Sequence, residues 1–330
     1  MRATQNGQLE AWNTETVPGP VLVREGIWAF GMALSNPYNP FSLHYLVEDS
    51  AGDTHLIDTG KPTPENEQRL RAAFRFAGKS IDSLASVVGS HLHVDHTGTA
   101  EWLRRQSGAR IVLLEREQRA IDRLADGDGR LAIAEQLFDR WGVPDDRRPE
   151  LRSLRQASGQ GEHAVRADVL VHDGDLLEIP GRRFTVLHTP GHTPGHISIV
   201  APDEGFVITA DHVIPTMHPG LGLGGESETN PIADYQASLR RVAALGIDEC
   251  FPGHGYAFEG LAERCDQHAA HHQRRTDEVA ATLAAHPGAS VYEVASGLTW
   301  TAGWQNMTGF YLYSALRQTA MHDEIARAAV

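Results

Sequence analysis

Ser90-His91-Leu92-His93-Val94-Asp95-His96-Thr97-Gly98 places four side chains able to bind a metal, His91, His93, Asp95 and His96, within six consecutive residues. The run before it, Leu84 to Gly89, is apolar and β-branched enough for a short buried strand, and Thr99 to Arg105 reads as a helix. The histidines therefore belong to a strand-to-helix loop. On an extended or turning backbone His91 and His93 point the same way, with period two, while Asp95 and His96 turn toward a neighbouring point. That pattern suits two metals side by side. Imidazoles with a carboxylate are zinc-type ligands, and iron or manganese would also accept them.

His91-Leu92-His93-Val94-Asp95-His96 resembles the HxHxDH signature of the metallo-β-lactamase superfamily, and further motifs follow in the family's order. His192 lies in Thr189-Pro190-Gly191-His192-Thr193-Pro194-Gly195-His196, Asp211 follows the apolar run Phe206 to Ala210, and His254 lies in Pro252-Gly253-His254-Gly255. Leu56-Ile57-Asp58-Thr59-Gly60 adds an upstream match, so the resemblance covers residues 20 to 256. It implies an α+β fold, the αββα sandwich of two face-to-face sheets with helices outside and metals at one edge. It also implies one metal held by His91, His93 and His192, a second held by Asp95, His96 and His254, and Asp211 bridging them.

Two zinc ions per chain, with iron or manganese acceptable, would then sit roughly 3.5–4 Å apart and activate a bridging hydroxide. Asp95 and Asp211 are the candidate catalytic residues, managing the proton. The resemblance does not select the bond that is cut. A carboxylic thioester or ester, as in the glyoxalase II-like branch, is the expected substrate, and the partner is a small acyl molecule. A lactonase, a metal-dependent ribonuclease and a non-hydrolytic di-iron scaffold are the alternatives. A serine nucleophile has no support, because no G-x-S-x-G elbow occurs.

The 330 residues can bury one large core plus a smaller addition, since single cores stop growing near ~250–300 residues. The division expected is a metallo-β-lactamase-fold domain at 1–258, with an insertion at about 115–165, and a C-terminal helical appendage at 259–330 resembling a truncated winged helix. A hydrophobic content of 41% and the lack of any long apolar run argue for a soluble chain, with no membrane partner. The first residues lack the apolar core of a signal peptide, so the cytoplasm is the expected location. A net charge of −14 argues against nucleic acid as a partner, because that affinity depends on neutralised phosphates. Cys250 and Cys265, without CxxC spacing, read as reduced structural thiols.

In chain order, residues 20 to 60 read as a meander of strands ending at Asp58, which either bonds a ligand histidine from behind or forms a turn. Pro64 to Ala77 has helical spacing, and Arg110 to Leu114 is a strand. Within 115–165, helical patterns around Ala120-Ile121-Leu124 and Leu131-Ile133-Leu137 precede a polar stretch running from Pro144 to Glu162. That insertion reads either as a lid or as an outer packing layer. Strands are expected at 169–171, 176–179, 184–187, 197–200 and 206–208.

His188 reads as structural, His196 as a neighbour of the site or a strand cap, and His212 as pointing away. His218, in the Gly-rich loop Pro215 to Asn230, is the candidate substrate contact. Asn230 is a plausible N-cap for a helix running to Leu245. On the long helix 259–285, His268, His271 and His272 read as solvated. Trp300, Trp304, Phe310 and Tyr311 suit packing or a homodimer contact.

Overall fold

Along the strand Phe41–Glu48, Phe41, Leu43, Tyr45 and Val47 enter one apolar cluster and Leu46 enters another, so the strand has core on both faces. Arg110–Leu114 behaves the same way, Val112 and Leu114 facing the first cluster and Ile111 and Leu113 the second. Two such faces require a sheet sandwiched between layers. The computed structural model, which describes residues 1–36, 39–125, 127–157, 165–225, 227–300 and 303–328, has that form.

The strands are β1 (Arg2–Ala3), β2 (Val21–Arg24), β3 (Ile27–Ala33), β4 (Phe41–Glu48), β5 (Thr54–Ile57), β6 (Leu84–Val88), β7 (Arg110–Leu114), β8 (Val169–Val171), β9 (Thr185–His188), β10 (Ile197–Ala201), β11 (Phe206–Ala210), β12 (Glu249–Pro252) and β13 (Phe258–Glu259). The helices are α1 (Asn6–Asn13), α2 (Pro64–Phe76), α3 (Val94–Thr97), α4 (Ala100–Ser107), α5 (Glu115–Ala125), α6 (Gly127–Trp141), α7 (Arg148–Ala157), α8 (Pro231–Ala243), α9 (Leu261–Ala285), α10 (Val291–Gly297) and α11 (Gly309–Ala328). One sheet has the order β2-β3-β4-β5-β6-β7-β8, and the other β1-β13-β12-β11-β10-β9. Parallel pairing is confined to β5-β6-β7-β8 and to β11-β12.

Between the sheets lies a core with Phe41, Tyr45, Phe184, Phe206 and Phe251, in which the Phe206 and Phe251 rings stack 4.4 Å apart. Leu70, Phe74 and Leu103 of α2 and α4 cover the outer face of the first sheet. Tyr235, Leu239 and Leu261 of α8 and α9 cover that of the second. The layers are thus αββα, as the resemblance implies. Two helix starts follow their caps. Thr63 accepts from Asn66 N ahead of Pro64, and Asn230 accepts from Ile232 N ahead of Pro231.

Several elements differ from the sequence reading. Residues 176–179 form no strand, only a single bridge from Leu176 to Thr185; Leu177 N bonds Phe184 O while Ile179 N turns back to Leu177 O, which ends the ladder. The helix α1 arises where the sequence has no strong periodic signal. His268 and His272 are fully buried rather than solvated, because α9 packs on both α8 and α11. The helices α6 and α7 of the insertion share a core with α10 and α11, through Phe138, Trp141, Leu151, Leu312 and Leu316. The part of the polar stretch at 158–162 lies outside the described residues. Cys250 and Cys265 are free and buried. Among the described residues no helix is long and apolar enough to cross a membrane.

Candidate metal centre

Four chain segments end at the same edge of the sandwich. β6 runs into the loop with His91 and His93, and α3 follows with Asp95 and His96. The β9–β10 connection carries His192, while Asp211 and His254 come directly after β11 and β12. Sequence-distant residues therefore meet because the ends of β6, β9, β11 and β12 lie at one edge of the two sheets.

The structure brings all seven candidates into one cluster. His91 Nε2 and His192 Nε2 each lie 3.0 Å from His93 Nδ1. Asp211 Oδ1 is 3.4 Å from His96 Nε2 and 3.3 Å from His254 Nε2, while its Oδ2 is 3.5 Å from His192 Nε2. Asp95 Oδ2 completes the second group, 3.5 Å from His254 Nε2 and 3.8 Å from His96 Nε2. Asp211 thus has one oxygen toward each group.

The outward nitrogens decide which way the lone pairs face. His96 Nδ1–H donates to Asp58 Oδ2 at 2.7 Å, His192 Nδ1–H to Gly220 O at 2.6 Å and His254 Nδ1–H to Phe41 O at 2.9 Å. Ser90 Oγ gives its proton to Asp58 Oδ2, so it accepts from His91 Nδ1–H at 3.0 Å. His93 is held from the far side by the Leu223 backbone. With one N–H of each ring engaged outside, the rings turn their other nitrogens, together with two carboxylates, toward one buried point.

Such a set is self-repelling unless a cation is shared. His96 Nε2 and Asp211 Oδ1 are buried without a well-formed hydrogen bond, the 3.4 Å between them being long for one. Nitrogens bound to one tetrahedral zinc would lie about 3.3 Å apart, close to the spacing of the three-histidine group. Burial works against charge at His96, yet Asp211, Asp58 and Asp95 hold its pKa well above the usual imidazole range. His254, also opposed by burial, is raised by Asp211 and Asp95. Burial and neighbouring rings keep His91 well below that range, and burial with His93 pushes His192 down to about 4. The residues present therefore fit divalent metals, with neutral imidazoles on one side and surplus negative charge on the other.

The supporting residues were only partly legible. Asp58 bonds the candidate ligand His96 from behind and also accepts from Ser90 N at 2.7 Å, with its own φ at 60°. Ala210, just before Asp211, has φ 43°, so positive φ flanks the site twice. Glu117 carried no motif signal. It is fully buried on α5, accepting from Leu92 N at 2.6 Å, Thr193 Oγ at 2.7 Å and Gly195 N at 2.8 Å. Burial raises its pKa to about 7 against those three donors.

Other histidines divide by position. His188 donates to Pro194 O, His196 pairs with Thr189 Oγ, and His212 turns outward onto the Tyr235 ring. His218 is drawn to α9: its Nδ1 is 2.9 Å from His268 Nδ1 and its ring stacks on His271. The part of its loop that borders the metal cluster is instead Gly220 to Leu223, where Gly222 N bonds Gly191 O and Leu223 N bonds His192 O.

A family model described as the metallo-beta-lactamase superfamily matches residues 40–254. A beta-lactamase-like protein 2 homolog of Caenorhabditis elegans is 23% identical over 276 residues, covering 82% of this chain and 75% of that protein. An atrochrysone carboxyl ACP thioesterase of Aspergillus fumigatus is 25% identical over 232 residues, 69% of this chain but only 41% of the relative. The crystal structure of a metallo-beta-lactamase family protein from Thermus thermophilus aligns with a TM-score of 0.77 at 24% identity, covering 93% of this chain and 95% of that one. With the αββα layers, the clustered motifs and a family match over more than half its length, the chain belongs to the metallo-beta-lactamase superfamily.

Proposed function

We propose that this chain is a dinuclear metal-dependent hydrolase acting on a carboxylic thioester or ester, with zinc as the first candidate metal. The observation that carries the dinuclear reading is Asp211, whose two oxygens face different groups: Oδ2 toward His192, Oδ1 toward His96 and His254. His91, His93 and His192 would hold one ion and Asp95, His96 and His254 the other, with Asp211 shared. When bound, such a pair lowers the pKa of water and polarises a carbonyl oxygen.

The protein's own groups supply orientation and proton handling. Asp58, Gly220 O and Phe41 O hold the rings of His96, His192 and His254 at fixed angles. Asp95 is the more exposed of the two central carboxylates, its side chain 21% accessible against 10% for Asp211. We assign Asp95 as the acceptor of the proton lost by attacking water, through the carboxylate oxygen that does not face His96 and His254, and Asp211 as a positioning carboxylate. The thioester preference rests on the name of the Aspergillus relative, and the net charge of −14 disfavours a polyanionic substrate.

The test is a panel of acyl thioesters, esters, lactones, β-lactams and phosphodiesters with zinc-loaded protein. Thioesters or esters should give the highest kcat/KM; a lactone or phosphodiester turned over faster would overturn the assignment. Asp95→Asn should lower kcat by about 10²–10⁴-fold on every substrate of the panel.

A further inference from the structure

Three parts of the fold meet at the carboxylate of Glu117. Oε1 accepts from Leu92 N and Thr193 Oγ, and Oε2 accepts from Gly195 N. Leu92 lies between His91 and His93, and Thr193 follows His192, so one side chain on α5 ties together the two loops that carry the three-histidine group. The close approach is written into Gly195 as well. A Cβ there would lie 2.2 Å from Glu117 N and 2.6 Å from its Cα, so only glycine lets the loop reach the start of α5. All three donors are spent on one carboxylate, and none of these bonds reaches Asp95, His96, Asp211 or His254.

We propose that Glu117 is a positioning residue for metal loading, holding the His91–His93 loop and the His192 loop at the separation that their shared ion requires. This rests on reading His91, His93 and His192 as ligands of one metal. A charged acceptor suits the task because it takes three hydrogen bonds at once without a competing donor. Glutamine cannot: one of its two terminal atoms is an NH2, which meets an N–H or hydroxyl donor in place of an acceptor.

The test reads zinc affinity by chelator competition, without substrate. Glu117→Gln is placed in two backgrounds: His254→Ala, which keeps the three-histidine group whole, and His93→Ala, which breaks it. In the first, Glu117→Gln should weaken zinc about tenfold or more, the scale seen when groups behind metal ligands are removed. In the second, affinity should stay within about twofold. Equal losses in both, or none in either, would overturn the proposal, since a general packing role has no reason to choose between them. If far-UV circular dichroism shows Glu117→Gln unfolded, Thr193→Val decides in the same backgrounds, because it removes a single donor at similar volume. It should give a smaller loss confined to the His254→Ala background, and no such loss would be equally fatal. A parent chain that takes up no zinc overturns the ligand reading and this inference together. One that takes up zinc yet cleaves no thioester or ester overturns only the function proposed above.

Discussion

Asp58 does its work from behind His96. Its carboxylate takes Ser90 N on Oδ1, and Ser90 Oγ and His96 Nδ1 on Oδ2, each at 2.7 Å. The residue accepts a φ of 60° to do so, a conformation that costs an ordinary side chain of order 1–3 kcal/mol. Those bonds fix the ring of His96 and, through Ser90, that of His91. Asp58→Asn removes the charge opposite His96 Nδ1 and puts an amide NH2 among three donors. Zinc affinity should fall about 10–100-fold with the fold retained, read by chelator competition beside circular dichroism. Unchanged affinity would mean that the rings are oriented by packing alone.

At the scale of an element, α9 shows why a histidine-rich helix cannot be read by composition. His268 and His272 are one turn apart and both are enclosed, His272 against Tyr235 and stacked on His322. Both ring nitrogens of His272 are buried without a hydrogen-bond partner. Burial, with His271 and His322 nearby, pushes its pKa down to about 2. The unfolded chain binds this proton near pH 6.5 and the native chain does not until far lower. Stability from this site is therefore fully present above pH 6.5 and is lost as pH falls below it, at about 1.4 kcal/mol per pH unit. His272→Leu removes that linkage and the unpartnered nitrogens. Its melting temperature relative to the parent should rise as pH is lowered from 7.5 to 5.5. A constant difference across that range would show that His272 takes up its proton in the native state as it does in the unfolded chain.

For the whole molecule, the centre joins the two halves of the sandwich. His91, His93, Asp95 and His96 follow a strand of one sheet, and His192, Asp211 and His254 follow strands of the other. A metal that binds only the folded chain adds stability by mass action, about 4 kcal/mol at a free concentration 1,000 times the dissociation constant. Chelator should therefore lower the melting temperature, and zinc should restore it. Titration of the metal-free protein should saturate at two equivalents per chain. Saturation at one, with full recovery of the melting temperature, would reduce the centre to a single ion.

His91, His93, Asp95 and His96 were legible as candidates because they crowd one short motif, whereas His192, Asp211 and His254 entered only through the order of motifs that the family resemblance implies. The sequence also carried the cap at Asn230, where proline and a side-chain acceptor are adjacent. Tertiary structure alone decided what depends on distance along the chain. Glu117 has no motif because its partners are 25, 76 and 78 residues away. His268 and His272 look like exposed polar residues until α8 and α11 close over them. His218 turned out to face α9, since a Gly-rich loop encodes freedom rather than direction. Leu176 to Ile179, strand-like in composition, lost its ladder to a turn because a strand exists only where a partner runs alongside it.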